Sequence, residues 1–241
     1  MNLQEILEHR RAVRYYDASK PIDADRVKEC VRLATLAPTS SNMQLWEAYH
    51  VTDRATIDRL VPACMGQSAV KTAQQLVVFV VRSDLWKAHA ESVLAANEEN
   101  VRKTFPEAKW EKYVGLQQAY YRKIVPFLYS RCFGVWGLCR KVIASVTGCF
   151  RPMVRQVTES DMLAVQHKSC ALAVQTFMLA MSEVGYDTCP LEGFDSARVK
   201  KVLGLPCAAR VNMIVSCGVR DEARLLTERV RLPFEEQYHR M

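Results

Sequence analysis

The apolar positions at the start of the chain fall at helical spacing. Leu3, Ile6 and Leu7 recur every three or four residues and predict a short helix, with Arg10 and Arg11 placed where its C-terminal end favours positive charge. Asp23 is a good N-cap for "ADRVKECVRLATLA", in which Val27, Val31, Leu33 and Leu36 mark one side of a second helix that Pro38 stops. The pattern then changes: "EAYHVTD" and "LVVFVV" predict strands, the second an unbroken apolar run of the kind buried on both faces. From Ser83 to Thr158 the chain is amphipathic and helical, rich in Glu, Lys, Trp and Tyr and interrupted at Pro106, Pro126 and Pro152, which predicts a helical excursion over 84–157. A T-x-x-D start at Thr158 opens about 25 residues that are apolar on most sides from Ala171 onward and close at Gly185, the pattern of a central buried helix. "ARVNMIVSCGV" predicts a last strand, followed by a basic tail.

No fixed-period repeat and no Pro/Gly/Ser-rich linker divides the chain, so residues 1–241 are read as one domain of mixed α/β or α+β class. At 241 residues, 49% of them hydrophobic, it has ample material for a core, and its net charge of +7 favours an anionic partner: nucleic acid, a membrane surface or a phosphate-bearing small molecule. No signal-peptide pattern opens the sequence, and its nine cysteines include no C-x-x-C pair, so a cytoplasmic protein with reduced thiols, mostly core filler, is expected. The tract Ile124–Phe150 is membrane-like in composition, but Arg131, Arg140 and Lys141 interrupt it. It is read as a buried or partner-facing helical layer, so membrane contact is not the expectation; a monotopic contact is the alternative.

Several chemistries are excluded by inspection. The sequence has no G-x-G-x-x-G, no Walker loop, no H-E-x-x-H and no G-x-S-x-G, and its five histidines are scattered, so a metal site is not expected. His167, inside an apolar helix, reads as a hydrogen-bonded core residue. No zinc finger, helix-turn-helix or RNP-type motif accompanies the charge, which argues against nucleic acid. Four short segments remain: the arginines of "EHRRAVRYYDASKPI" (8–22), the hydroxyl- and amide-rich "APTSSNMQLW" (37–46), the Pro/Gly loop "CPLEGFD" (189–195) and "ERVRLP" (228–233). Each alone has an ordinary explanation, as a solvated helix end, a plain loop or a turn capping a helix at Asp195.

Taken together and in this order, R-x-x-x-R with "DASK", A-P-[ST]-S-x-N-x-Q-x-W, G-[LY]-D-x-x-P-[ILM]-E-G-F-D and R-x-R-L-P resemble the FMN-dependent nitroreductase family. The resemblance covers 10–46 and 185–233 and leaves the middle third unmatched. It implies an α+β nitroreductase-like fold, a central mostly antiparallel sheet flanked by helices, in an intertwined homodimer with two FMN sites at the interface. Arg10 and Arg11 would close on the FMN phosphate with Arg229 and Arg231, since guanidinium–phosphate bonds are strong and geometrically specific. Arg14 would lie near the N1/C2=O side of the ring and stabilise the negative charge that reduction adds there.

The resemblance further implies that Pro38, Thr39, Ser40, Ser41 and Asn42 reach over from the other subunit, and that the loop at Pro190, Leu191, Glu192 and Gly193 presents a backbone N–H to flavin N5. Gly193 would permit that close approach. Two positions depart from the family pattern: Ala12 stands where Ser or Thr is usual, and "CMGQSAVK" offers Gln67 or Lys71 where the family often has an Asn or Lys pair, Gln67 being preferred. The implied activity is a ping-pong oxidoreductase in which NADH or NADPH reduces FMN and a nitroaromatic, quinone or related small acceptor takes the electrons, with no catalytic side chain required. Phe127, Tyr129, Phe133 and Trp136 are candidates for the cleft wall, and equally for core or dimer interface. The alternative reading is a flavin-binding redox sensor or carrier.

Overall fold

The computed structural model describes residues 2–224 and 227–241. Its strands β1 (Trp46–Val51), β2 (Gln75–Val81), β3 (Asp187–Leu191) and β4 (Arg210–Gly218) form one sheet in the order β1-β2-β4-β3, every neighbouring pair antiparallel. The apolar run of β2 is interior, and all of its residues are buried. Strand alternation deals its side chains to two layers. Leu76, Val78 and Val80 meet Ile57 and Leu60 of α3 (Arg54–Leu60), Val70 of α4 (Ser68–Lys71) and Val199 of α10 (Ser196–Leu203). Val77, Phe79 and Val81 meet Val27 and Cys30 of α2 (Ala24–Ala34) and Val174 and Phe177 of α9 (Glu159–Glu183). Burial of both faces is more often a property of parallel sheets; here helices cover both sides of an antiparallel one.

The long helix α9 starts and stops as its end signals predict. Thr158 Oγ1 accepts from the Asp161 amide (3.1 Å) while the Asp161 carboxylate accepts from the Thr158 amide (3.0 Å). At the other end Gly185 takes φ +80°, and the amides of Gly185 and Tyr186 return to the carbonyls of Ser182 and Met181. His167, on this helix, is bonded through Nδ1 to Asn212 Oδ1 (2.7 Å) as expected, but it is half-buried and borders a surface depression and is not a core residue.

Between β2 and α9 run α5 (Trp86–Thr104), α6 (Trp110–Ala119), α7 (Val125–Tyr129) and α8 (Val135–Thr147). Pro126 does not interrupt this stretch as expected. A π-helical turn at Tyr120–Ile124 joins α6 to α7, with the Val125 amide bonding the Tyr120 carbonyl, and the widened turn accommodates the proline ring. Leu94, Tyr121, Val125 and Tyr129 build a third cluster with Met43 and Leu45, so the excursion is tied to the segment preceding β1.

One further expectation needs correction, and two hold in part. "CPLEGFD" is not wholly a loop, because Cys189, Pro190 and Leu191 belong to β3; that strand is at the sheet edge, where a proline's missing N–H is tolerated. Five of the nine cysteines are buried, so most fill the core as expected, while Cys132, Cys139, Cys149 and Cys207 are exposed. Of the buried and partner-facing alternatives for the tract Ile124–Phe150, the buried one fits α7 alone: α7 is partly buried, whereas α8 turns Val135, Leu138, Val142 and Val146 to solvent. Among the described residues no helix is long and apolar enough to cross a membrane, and no group of His, Cys, Asp and Glu could hold a metal ion.

Candidate functional site

Helix α1 (Leu3–His9) ends at Arg10, and from there the chain runs beside edge strand β3. Ala12 forms a parallel bridge with Thr188, and the Val13 amide donates to the Thr188 carbonyl (3.1 Å). Parallel pairing fixes an order along the edge: Arg10 at the Asp187 end, Arg14 toward Cys189 and Pro190, then Glu192 and Gly193 beyond the strand. Gln67 donates to the Gly193 carbonyl (2.8 Å) and Ser68 bonds Tyr15 (3.3 Å), so the segment leading into α4 closes the far end.

A cavity of about 600 Å³ lies over the near end, and Arg10, Arg11, Ala12, Arg14, Arg229 and Arg231 line it. Residues more than 200 positions apart in sequence meet here. Arg229 donates to the carbonyls of Leu7 (3.0 Å), Glu8 (3.0 Å) and Arg10 (2.7 Å), and Arg11 donates to the Thr227 carbonyl. The cations that serve the C-terminal carbonyls of α1 are therefore Arg229, on Leu7 and Glu8, and Arg220, on His9; Arg10 and Arg11, expected to complement that helix end, line the cavity. Burial, followed by the charges of Arg229, Arg231 and Arg11, lowers the Arg10 pKa below its ordinary value, the electrostatic signature of a cation cluster suited to an anion. Asp221 and Glu228 also line the cavity, against seven arginines.

One of these arginines, Arg220, is held from behind by a buried carboxylate, an ion pair that sequence reading missed. Asp187 is 3% exposed and holds Arg220 through both carboxylate oxygens, while Arg220 donates to the His9 carbonyl (2.9 Å). Ser182 Oγ donates to Ile6 O (2.9 Å), so His9 Nδ1–H donates to Ser182 Oγ (2.9 Å), and His9 Nε2 lies 4.0 Å from Asp187. Burial lowers the His9 pKa, with Asp187 raising it and Arg220 lowering it further, so this ring is neutral near pH 7. The aspartate of "GYD" and the histidine of "EHRR" were in view as motif letters, but nothing local in the sequence pairs them. Burial also raises the Cys189 thiol, an effect partly offset by the Arg14 and Arg10 guanidiniums beside it.

The remaining expected residues do not line this cavity. Pro38, Thr39, Ser40, Ser41 and Asn42 lie elsewhere on the chain, where the Ser40 amide donates to Ser169 Oγ (3.1 Å), Tyr121 donates to the Ser41 carbonyl (2.8 Å) and Ser41 Oγ meets the Tyr120 hydroxyl (2.7 Å). Ser41, Asn42 and Gln44 all take positive φ (54°, 51° and 48°), a concentration of left-handed non-glycine residues that surrounding contacts must hold in place. A Cβ on Gly193 would make only an ordinary 3.6 Å contact, with Gln67 Nε2. Of the four aromatic candidates, Tyr129 is buried in the third cluster, Phe127 and Trp136 meet edge to face at 6.2 Å, and Phe133 projects into solvent. A larger depression of about 860 Å³ at Lys87, Arg131, His167 and Arg210 gathers none of the four motifs.

The fold and site define an α+β protein with a cationic cavity beside the edge strand of an antiparallel sheet. The chain belongs to the nitroreductase family, whose pattern it matches over residues 7–219. It is 28% identical over 227 residues to a Thermus thermophilus NADH dehydrogenase (94% of this chain, 89% of the other). It is 22% identical over 220 residues to the oxygen-insensitive NAD(P)H nitroreductase of Enterobacter cloacae (89% and 87%). Its fold is shared by an Exiguobacterium sibiricum protein solved in complex with FMN, with TM-score 0.66, 21% identity, and 100% and 98% of the two chains covered.

Proposed function

We propose that this chain is an NAD(P)H-dependent oxidoreductase that binds FMN along β3 and works as a homodimer. The observation that carries the reading is the convergence of Arg10, Arg11, Arg229 and Arg231 on one cavity. The donor set fits the group: guanidiniums at the Asp187 end suit a phosphate, and the Gln67–Gly193 contact lies further along the same edge, where a ring would follow. Ala12 supplies no hydroxyl, so the phosphate is held chiefly by arginines. Arg14, beside Cys189, places positive charge at the ring end and favours the electron-rich form.

Bound FMN supplies the chemistry, accepting hydride from NADH or NADPH and passing electrons to a nitroaromatic, quinone or related small acceptor in a ping-pong cycle. The chain's residues bind, orient and tune; none is assigned a proton-transfer role. The Thermus NADH dehydrogenase and the Enterobacter NAD(P)H nitroreductase, both similar to this chain, support the nicotinamide donors. Because 38–42 lies away from its own chain's cavity yet holds Ser41 and Asn42 in left-handed geometry, we assign Pro38, Thr39, Ser40, Ser41 and Asn42 to the flavin of the second subunit.

Purified protein tests the reading. A bound yellow chromophore that is released as FMN, bleached by NADH or NADPH and restored by a nitro compound or quinone is expected. Protein that stays colourless after FMN is added overturns the site, and a yellow protein bleached by neither nucleotide is a carrier or sensor instead.

A further inference from the structure

Helix α8 is built inside out. Its inward stripe is Gly137, Arg140 and Ala144, all buried, while Val135, Leu138, Val142 and Val146, spaced three and four apart, face solvent. Trp136 and Ile143 widen this outward band, and Phe133 and Phe150 project fully at its two ends, 105% and 86% exposed. The inward arginine donates through one nitrogen to the carbonyls of Phe127 and Leu128 at the end of α7, and its Nε and Nη2 are buried without partners. A water-facing helix places charge outward and apolar side chains inward; this one does the reverse.

Charge identifies what covers the band. From residue 112 to residue 158 there is no Asp or Glu, and of the eight Lys and Arg in that span all but Arg140 are exposed. Lys141 flanks the apolar face, and Arg151 and Arg155 follow its end. The nearest acids, Glu159 and Asp161 at the start of α9, are engaged with the Cys132 amide and the Thr158 cap, so pressing two copies of this face together would crowd Lys141, Arg151 and Arg155, whereas a sheet of negative headgroups neutralises them. At 13 residues α8 is ~20 Å long, short of the ~30 Å needed to span a bilayer but suited to lying in its plane.

We propose that the outward face of α8, framed by Phe133 and Phe150, docks this protein on the surface of an anionic phospholipid bilayer, its apolar band entering the headgroup boundary and its cations meeting the lipid charge. The inference does not depend on the flavin reading.

Cosedimentation of the full-length protein with phosphatidylglycerol/phosphatidylcholine vesicles, against pure phosphatidylcholine vesicles, tests it. Most of the protein is expected to pellet with the anionic vesicles at low salt, to stay in the supernatant with the neutral ones, and to lose most of its binding at ~1 M salt, where the Debye length is ~3 Å. The variant Leu138→Ser/Val142→Ser/Val146→Ser, whose changed side chains all face outward, should lose binding while keeping the wild-type circular dichroism spectrum, and Lys141→Glu/Arg151→Glu should lose it likewise. Wild-type protein that remains in the supernatant with anionic vesicles overturns the proposal. So does a triple-serine variant that still pellets like wild type, or one whose sedimentation mass drops to a smaller oligomer, which would make the band a contact between copies.

Discussion

Arg229 Nη2 donates to the main-chain carbonyl of Arg10 at 2.7 Å, and so one arginine from the end of the chain holds in place the loop that carries another. The two guanidiniums have different tasks. Arg229 is committed to the carbonyls of Leu7, Glu8 and Arg10, whereas among the described residues Arg231 bonds its neighbour Val230, which leaves most of its donors to a ligand.

Arg229→Ala and Arg231→Ala should therefore separate. The first is expected to lower Tm, by the loss of about 1–2 kcal/mol of solvent-screened hydrogen bonding, and to weaken FMN binding. The second should weaken FMN about tenfold or more, roughly 1.4 kcal/mol per factor of ten, with Tm of the flavin-free protein unchanged. Fluorescence titration and thermal melts of apoprotein read both; equal melts for the two variants would refute the division of labour.

Asp187→Asn should be a damaging single change near the site. It leaves Arg220, which is half-buried beside the cavity, without its counter-charge, and losing charge-assisted hydrogen bonds of this kind typically costs about 1–3 kcal/mol. A denaturant midpoint within error of wild type would show that the pair is dispensable.

His9 makes stability depend on pH in a predictable direction. Its folded pKa is lowered by burial, so in the window just below the ordinary value of about 6.5 the unfolded chain binds a proton that the folded chain does not. Stability must fall as pH drops through that window and recover as pH rises above it. His9→Gln should flatten this acid branch; Tm difference curves between pH 7.5 and 5 that superimpose for the two proteins would exclude it.

Gly218 ends β4 opposite Asp187, and a Cβ there would sit 2.6 Å from Cδ1 of Tyr16. That ring cannot retreat: it is buried, its hydroxyl bonds Ser216 O (2.9 Å) and Oγ (2.8 Å), and burial pushes its pKa far above the usual tyrosine value. Gly218→Ala is expected to cost about 1–3 kcal/mol through overpacking, and Tyr16→Phe about 1 kcal/mol through the lost hydrogen bond. The alanine variant melting with wild type would mean that the strand end shifts freely.

If each flavin site is shared between subunits, two inactive variants should rescue one another. Arg10→Ala spoils a subunit's own phosphate end, and Asn42→Lys spoils the site of its partner. Unfolding and refolding the two together gives half heterodimers, each with one intact site, and NAD(P)H oxidation should return to about one quarter of wild type. A mixture as inactive as its parents would place 38–42 outside the flavin site.

The sequence by itself determined the local elements and the family. The Asp23, Thr158 and Asp195 caps, the Gly185 stop and the unbroken run of β2 act through neighbours a few residues away, and each formed as its letters predict. The four motifs likewise carried the nitroreductase fold, because motif order survives where identity is low. Only the tertiary structure decided which arginines face the cavity and which support the chain, since Arg229 meets Arg10 across 219 positions. The pairing of Asp187 with Arg220 and His9 was hidden for the same reason: it is a contact between a strand, a loop and a helix end that no periodicity encodes. The direction of α8 was hidden differently. Its composition suits a buried layer, and only packing shows that its small residues and its arginine turn inward while its large apolar side chains face out.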